Sequence, residues 1–142
     1  MSKGDTFEND WLKLIFNATA IANIADNAAT APLTNLYLAL HTASPGDAGV
    51  QSTNEIAYTG YARIAVARTT GGFTVTGNSV SPVANVDFGE CTAGTGTATH
   101  ASVGTVSSGA GKILYHGALT PNIAVSAGVI PRIAAGSTIT ED

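Results

Sequence analysis

Charged side chains are scarce in this chain, since Asp, Glu, Lys and Arg make up 11% of its 142 residues. Globular proteins usually carry about a quarter. Six Lys and Arg residues and a net charge of −4 provide no basic cluster, so we predict no nucleic-acid partner. Disorder is not expected, because 44% of the residues are hydrophobic and the net charge is low. A surface this neutral favours burial against copies or partner proteins.

Cysteine and long apolar runs are also lacking. Cys91 is the single cysteine, which excludes an internal disulfide. No apolar run reaches the length of a membrane span, so we predict no membrane partner. The first ten residues carry charges of both signs and precede no signal-peptide core. We therefore expect synthesis in a cytoplasm without export.

The stretch SSGAGKILYHGALT contains a Gly-Lys pair at Gly111 and Lys112 that is partly similar to a phosphate-binding loop. That motif requires an earlier glycine where Val106 stands and a Ser or Thr where Ile113 stands. A helix should also follow the loop, whereas the residues that follow favour a strand. We therefore predict a hairpin loop over 107–111, with Lys112 exposed at the start of a strand.

Histidines occur in three separate predicted strands, as His41, His100 and His116. If their side chains converged, together with Cys91 or Asp87, they would provide zinc ligands. None of them has the short local spacing that marks zinc motifs. We therefore predict histidines on pleated sheet faces, with no metal and no cofactor.

Motifs for catalysis are missing as well. No Gly-x-Ser-x-Gly sequence occurs, and Asp87 with Glu90 suits a solvated turn better than a pair of glycosidase carboxylates. Asp47 and Glu55 share a long predicted loop, but too few oxygen ligands accompany them for a calcium site. We therefore predict that the protein is not an enzyme.

The N-terminal region has the pattern of one amphipathic helix. Asp5 or Thr6 can cap it, and four apolar residues recur at helical spacing to form one face. These residues are Phe7, Trp11, Leu14 and Ile15. We predict a first region over 1–35 that consists of this helix and a linker.

The remainder of the chain shows short runs of alternating residues separated by turn signals. The run over 36–42 has apolar residues on both faces, which predicts a central strand. Pro121 and Pro131 are expected at strand edges or bulges. Eight or nine strands of this kind predict an all-β antiparallel β-sandwich over 36–142, with jelly-roll or immunoglobulin-like connectivity.

Two arginines and two tyrosines in a predicted strand over 60–69 and its approach invite a role in binding. Arg63 and Arg68 are expected to pair with a carboxylate, either within the fold or across an interface. Tyr58 and Tyr61 are the only clustered aromatic residues that suit a sugar. We favour sheet packing for them, and keep a carbohydrate-binding module as an alternative function.

Several phrases of the sequence resemble a widespread family of small virion structural proteins of tailed bacteriophages. These phrases are FENDWLKLIF, LYLALHTASPGDAG, TNEIAYTGYARIAVAR, GAGKILYHGALT and IAVSAGVIPRIAAGSTITED. Members are described as capsid-decorating or tail-fibre-like proteins. The resemblance implies a virion protein, which we expect to decorate the capsid as a trimer and to clamp neighbouring major capsid subunits. The alternative that it leaves open is a tail, baseplate or fibre-adaptor component with tail proteins as partners.

An assembly role requires surfaces that contact other subunits. We expect Phe7, Trp11 and Ile15 to anchor the helix, either to its own sandwich or to a neighbouring subunit. Together with Arg63 and Arg68 they form the predicted set of interface residues.

Overall fold

The computed structural model describes residues 5–21, 25 and 32–141. They form one helix, α1 (Asp5–Asn17), and nine strands. The strands are β1 (Asn35–His41), β2 (Ile64–Ala67), β3 (Phe73–Thr76), β4 (Ser79–Pro82), β5 (Val86–Asp87), β6 (Gly96–Gly104), β7 (Ile113–Val125), β8 (Arg132–Ile133) and β9 (Ile139–Thr140). The predicted all-β, sandwich-like fold with one N-terminal helix is confirmed.

The strands form three sheets with the orders β2-β1-β6-β7, β3-β4-β9 and β5-β8. The pairs β1–β6, β6–β7, β3–β4, β4–β9 and β5–β8 are antiparallel. β1 lies between two neighbours, as its two apolar faces predicted. Its buried leucines, at 36, 38 and 40, and its buried Ala39 and His41 account for both faces.

The chain divides into two compact units. One comprises Met1–Asn35, Val66–Asn85 and Ala134–Asp142, and the other comprises Leu36–Ala65 and Val86–Ile133. The first contains α1 and the sheet β3-β4-β9. The second contains most of the four-stranded sheet and the β5–β8 pair. The predicted division at residues 35 and 36 stays a prediction.

The helix α1 buries a different face from the one predicted. Leu12 and Phe16 are fully buried, whereas Phe7 and Trp11 are each 37% exposed. Phe16 packs edge-on against Phe73 of β3, with ring centroids 4.9 Å apart. Apolar residues surround the C-terminal half of this helix, so its spacing alone did not determine which stripe would be buried.

Arg68 holds the C-terminal end of α1. Its guanidinium donates to the carbonyl oxygens of Leu14 and Ile15, each at 2.5 Å. A positive charge at this end suits the helix dipole and satisfies carbonyl groups that have no partner within the helix. Within the fold Arg68 contacts these carbonyl groups, and its predicted pairing with a carboxylate across an interface stays a prediction.

Two strands differ in length from the prediction. β2 begins at Ile64 instead of 60, because Gly60 has a φ of +105° and Tyr61 N–H bonds back to Tyr58 in a turn. β7 runs on to Val125, whereas the run KILYHGAL predicts a strand over 112–119 only. Pro121 is tolerated because it lies on an edge strand, where the register with β6 shifts. That position agrees with its prediction.

The loop between β6 and β7 has the predicted place and character. Residues 107–110 are exposed, and Lys112 is exposed directly before β7. Gly109 adopts a φ of +76°, the left-handed region that favours glycine. The predicted hairpin loop is confirmed.

Candidate binding site

A largely buried ion pair joins Arg63 and Glu55 in the second unit. Arg63 Nε donates to Glu55 Oε1 and Nη2 donates to Oε2, each at 2.7 Å. The two side chains are only 2% and 18% exposed. The bidentate bond to Glu55 raises the pKa of Arg63, so the guanidinium stays charged. The ion pair predicted for Arg63 is thus present within the fold.

Arg63 also fixes the loop between β6 and β7. Its Nη1 donates to the Val106 carbonyl at 3.1 Å, and its Nη2 donates to the Gly109 carbonyl at 2.7 Å. These bonds fix the two residues that flank the exposed Ser107 and Ser108. The guanidinium therefore uses its donors on the protein itself.

Three aromatic rings form a continuous row beside this ion pair. Tyr58 packs edge-on against Tyr61 at 5.4 Å, and Tyr61 stacks on Phe88 at 6.1 Å with an angle of 9°. Tyr61 donates to Glu55 Oε1 at 2.8 Å and accepts the Leu40 N–H at 3.1 Å. Burial raises the pKa of Tyr61 far above its ordinary value. The tyrosines therefore pack against each other and against Phe88, but both lie before β2 and outside any strand, so the sheet packing predicted for them is not what the structure shows.

An open groove of about 770 Å³ is lined by the ion pair and by the two tyrosines of this row. Its wall includes Tyr58, Thr59, Ala93, Gly94, Ser107 and Ser108, with Glu55 and Arg63 also in the lining. Tyr58 keeps its hydroxyl at the rim by donating to the Gly89 carbonyl at 2.9 Å. Burial raises the pKa of this hydroxyl as well.

Gln51 supports the loop between β6 and β7, and no sequence pattern predicted this role. The side chain is fully buried, and its Oε1 accepts the N–H groups of Thr105 and Val106, each at 3.0 Å. A Cβ at Gly104 or Gly111 would overlap this side chain. Glycine at those two places was the available signal, but nothing in the sequence connected it with residue 51.

Two of the three histidines, His41 and His100, lie opposite each other in the register of β1 and β6, whereas His116 lies on β7. His41 Nδ1 lies 2.9 Å from the Thr53 carbonyl, which only accepts, so Nδ1 carries the proton and Nε2 accepts the Ser102 hydroxyl at 2.8 Å. Burial lowers the pKa of His41. His100 bonds to its neighbour Thr99, and His116 lies 3.2 Å from Asp47. Within the described ranges, no three His, Cys, Asp or Glu residues form a possible metal site.

Asp87 and Cys91 have partners within the protein, whereas Glu90 lies at the surface. Asp87 forms an exposed bidentate pair with Arg132, at 2.5 and 2.9 Å, and this partner lowers the pKa of Asp87. Glu90 is exposed. Cys91 is fully buried and its thiol donates weakly to the Gly94 carbonyl at 3.4 Å.

Four of the predicted interface residues belong to the first unit and the fifth, Arg63, belongs to the second. Phe7 and Trp11 lie side by side on α1 with ring centroids 6.4 Å apart. Ile15 is half-buried on the same helix. Arg68 contacts the helix end within the first unit, and Arg63 lies in the second unit. Their role in contacts between subunits stays a prediction.

No helix among the described residues has the length and hydropathy to cross a membrane. A comparison with protein families found one match, to the Gp80 family, described as podophage GP4 fiber I protein gp80, and it spans residues 3–141. The chain belongs to the Gp80 family. This Gp80 protein is thus a fibre-like structural protein of a phage virion, which confirms the resemblance at that level. No curated protein matches the chain.

Proposed function

We propose that this Gp80 protein is a non-enzymatic structural subunit of the phage fibre. The observation that carries the proposal is the match to a fiber protein family over residues 3–141. The described site supports this proposal, because the charges of Arg63 and Glu55 are paired with each other in a bidentate contact. Groups fixed in this way hold loops in place and are not poised for proton transfer.

The subunit assembles with copies of itself, as a homotrimer, and with neighbouring virion proteins. The low share of charged residues supports this, since a neutral surface loses little solvation when it is buried. Phe7 and Trp11 are large aromatic residues that remain 37% exposed on α1. Side chains of this kind are enriched in the buried centres of interfaces.

Decoration of the capsid is the competing location within the virion. A decoration protein would stabilise the head through many modest contacts with major capsid subunits. We favour the fibre because the family description names a fiber protein. No feature of the described residues specifically favours contact with a capsid lattice.

Gold-labelled antibodies against the purified protein, applied to intact particles, test the location in the electron microscope. We expect gold at the fibres and none over the head. Antibody absorbed beforehand with the purified protein is the control for specific labelling. Gold distributed over the head would overturn the fibre proposal and support decoration of the capsid.

A further inference from the structure

We infer that the groove beside Tyr58 and Glu55 binds an uncharged glycan. The inference rests on the proposed function for its biological context, since a fibre subunit lies where it can contact a cell surface. The binding chemistry itself depends only on the second unit. The volume of the groove, about 770 Å³, lies within the range of about 300–1,000 Å³ typical of small-molecule sites.

The ring of Tyr58 provides the stacking surface. It is half-buried, lines the groove, and is locked by its contact with Tyr61 and by its bond to Gly89. The face of an aromatic ring carries partial negative charge. A pyranose offers a matching face of C–H groups, so a rigid ring of this kind suits a sugar without needing to reorganise.

Glu55 provides an acceptor for hydroxyl groups. Its Oε1 accepts from both Tyr61 and Arg63, whereas Oε2 accepts from Arg63 Nη2. A carboxylate accepts about four hydrogen bonds, so Oε2 retains capacity for another donor. The side chain is 18% exposed in the groove lining, and a sugar hydroxyl is a donor of the right size.

The rest of the wall supplies small polar groups. Ser107 and Ser108 are exposed on a loop whose ends Arg63 holds. Thr59 adds a third hydroxyl. Hydroxyl groups both donate and accept, which matches the alternating needs of a sugar ring.

Charge in the lining determines which glycans fit. Arg63 and Glu55 are the charged residues of the groove, and they neutralise each other. Four of the five guanidinium N–H groups already bond to the protein and the charge is paired with Glu55, so the groove offers little to a sialic acid, sulfate or phosphate group. A peptide is a poorer match, because the one large aliphatic residue of the lining, Ile56, is buried.

A printed array tests the inference with the purified full chain. The probes are neutral oligosaccharides of glucose, galactose, mannose, rhamnose and N-acetylhexosamines, beside their sialylated, sulfated and phosphorylated counterparts. We expect binding to one or more neutral probes, and weaker or no binding to the charged counterparts. The strongest probe is then titrated in solution by calorimetry.

Three variants connect the binding with the groove. Tyr58→Ala removes the stacking ring and should weaken binding at least tenfold, while Tyr58→Phe keeps the ring and should lose less. Ala93→Phe fills the groove at an exposed position without removing a buried contact, so it remains informative if Tyr58→Ala does not fold. Tyr115→Ala, on β7 outside the groove lining, is the matched control and should bind as the wild type does.

The absence of any glycan hit would overturn the inference. So would a preference for charged probes, or binding that survives both Tyr58→Ala and Ala93→Phe in folded protein. Failure here is distinguishable from failure of the proposed function. A fibre-located protein without glycan binding refutes the groove alone, and a head-located protein that binds glycan refutes the location alone.

Discussion

Removal of the Arg63 side chain is expected to destabilise the protein strongly. Arg63→Met keeps most of the apolar stem but leaves the Glu55 carboxylate without its bidentate partner and frees the carbonyls of Val106 and Gly109. Removing one member of a buried ion pair costs about 3–5 kcal/mol. Domains are stable by about 5–15 kcal/mol, so this loss is a large share of the total.

Urea unfolding measures this change directly. With a slope of about 2 kcal/mol per M, the expected loss lowers the midpoint by about 1.5–2.5 M. Arg132→Met is the matched control, because Arg132 makes the same bidentate bond to Asp87 while the two side chains are 54% and 45% exposed. Exposed pairs contribute little, so its midpoint should stay near that of the wild type. Equal decreases of the urea midpoint in the two variants would show that burial does not make the Arg63–Glu55 pair more stabilising than the exposed pair.

Three further outcomes follow from the described side chains. Burial lowers the pKa of His41, so the unfolded state takes up the proton first as the pH falls. The free energy of unfolding should therefore decrease below about pH 6.5, by at most about 1.4 kcal/mol per pH unit. Urea unfolding at several pH values measures this, and an equally steep pH dependence in His41→Gln would contradict it. Gln51→Ala should cost about 1–3 kcal/mol, because the Thr105 and Val106 N–H groups lose their acceptor; an unchanged urea midpoint would show that water replaces it. Cys91 is fully buried, so a thiol reagent should label it only in denaturant, and fast labelling of the native protein would disprove that burial.

The elements that depend on local pattern were predictable from the sequence. The alternation of side chains over 36–42 predicted the position of β1, and its two apolar faces predicted that it is a central strand. The serines and glycines over 107–111 identified a hairpin loop. Capping and helical spacing located α1, since the signals for a helix lie within a few residues of each other.

Features that depend on distant contacts were not predictable in the same way. Which stripe of α1 becomes buried depends on Phe73, 57 positions after Phe16, and apolar residues on several sides left that choice open. The continuation of β7 past Pro121 depends on the shifted register with β6. Arg68 was expected to find a carboxylate, but the end of a helix provided its acceptors.

The candidate site shows the same limit. Tyr58 and Tyr61 stand out as a pair because they are only three positions apart in the sequence. The sequence places Glu55 in a long loop with Asp47, and no local pattern connects it with its partner Arg63 on the approach to the next strand. Gln51 reaches a loop more than fifty residues away, and no local signal indicates a contact of that kind.

Fractionation of purified virions tests the central claim, which is that this protein is a subunit of the fibre. Fibres detached from the particles and the emptied heads would be separated, and the protein in each fraction would be quantified by mass spectrometry against a labelled standard. The account predicts that the protein accompanies the fibres in a whole-number ratio to the other fibre proteins and is depleted from the heads. Recovery of the protein with the heads, in proportion to the major capsid protein, would contradict it.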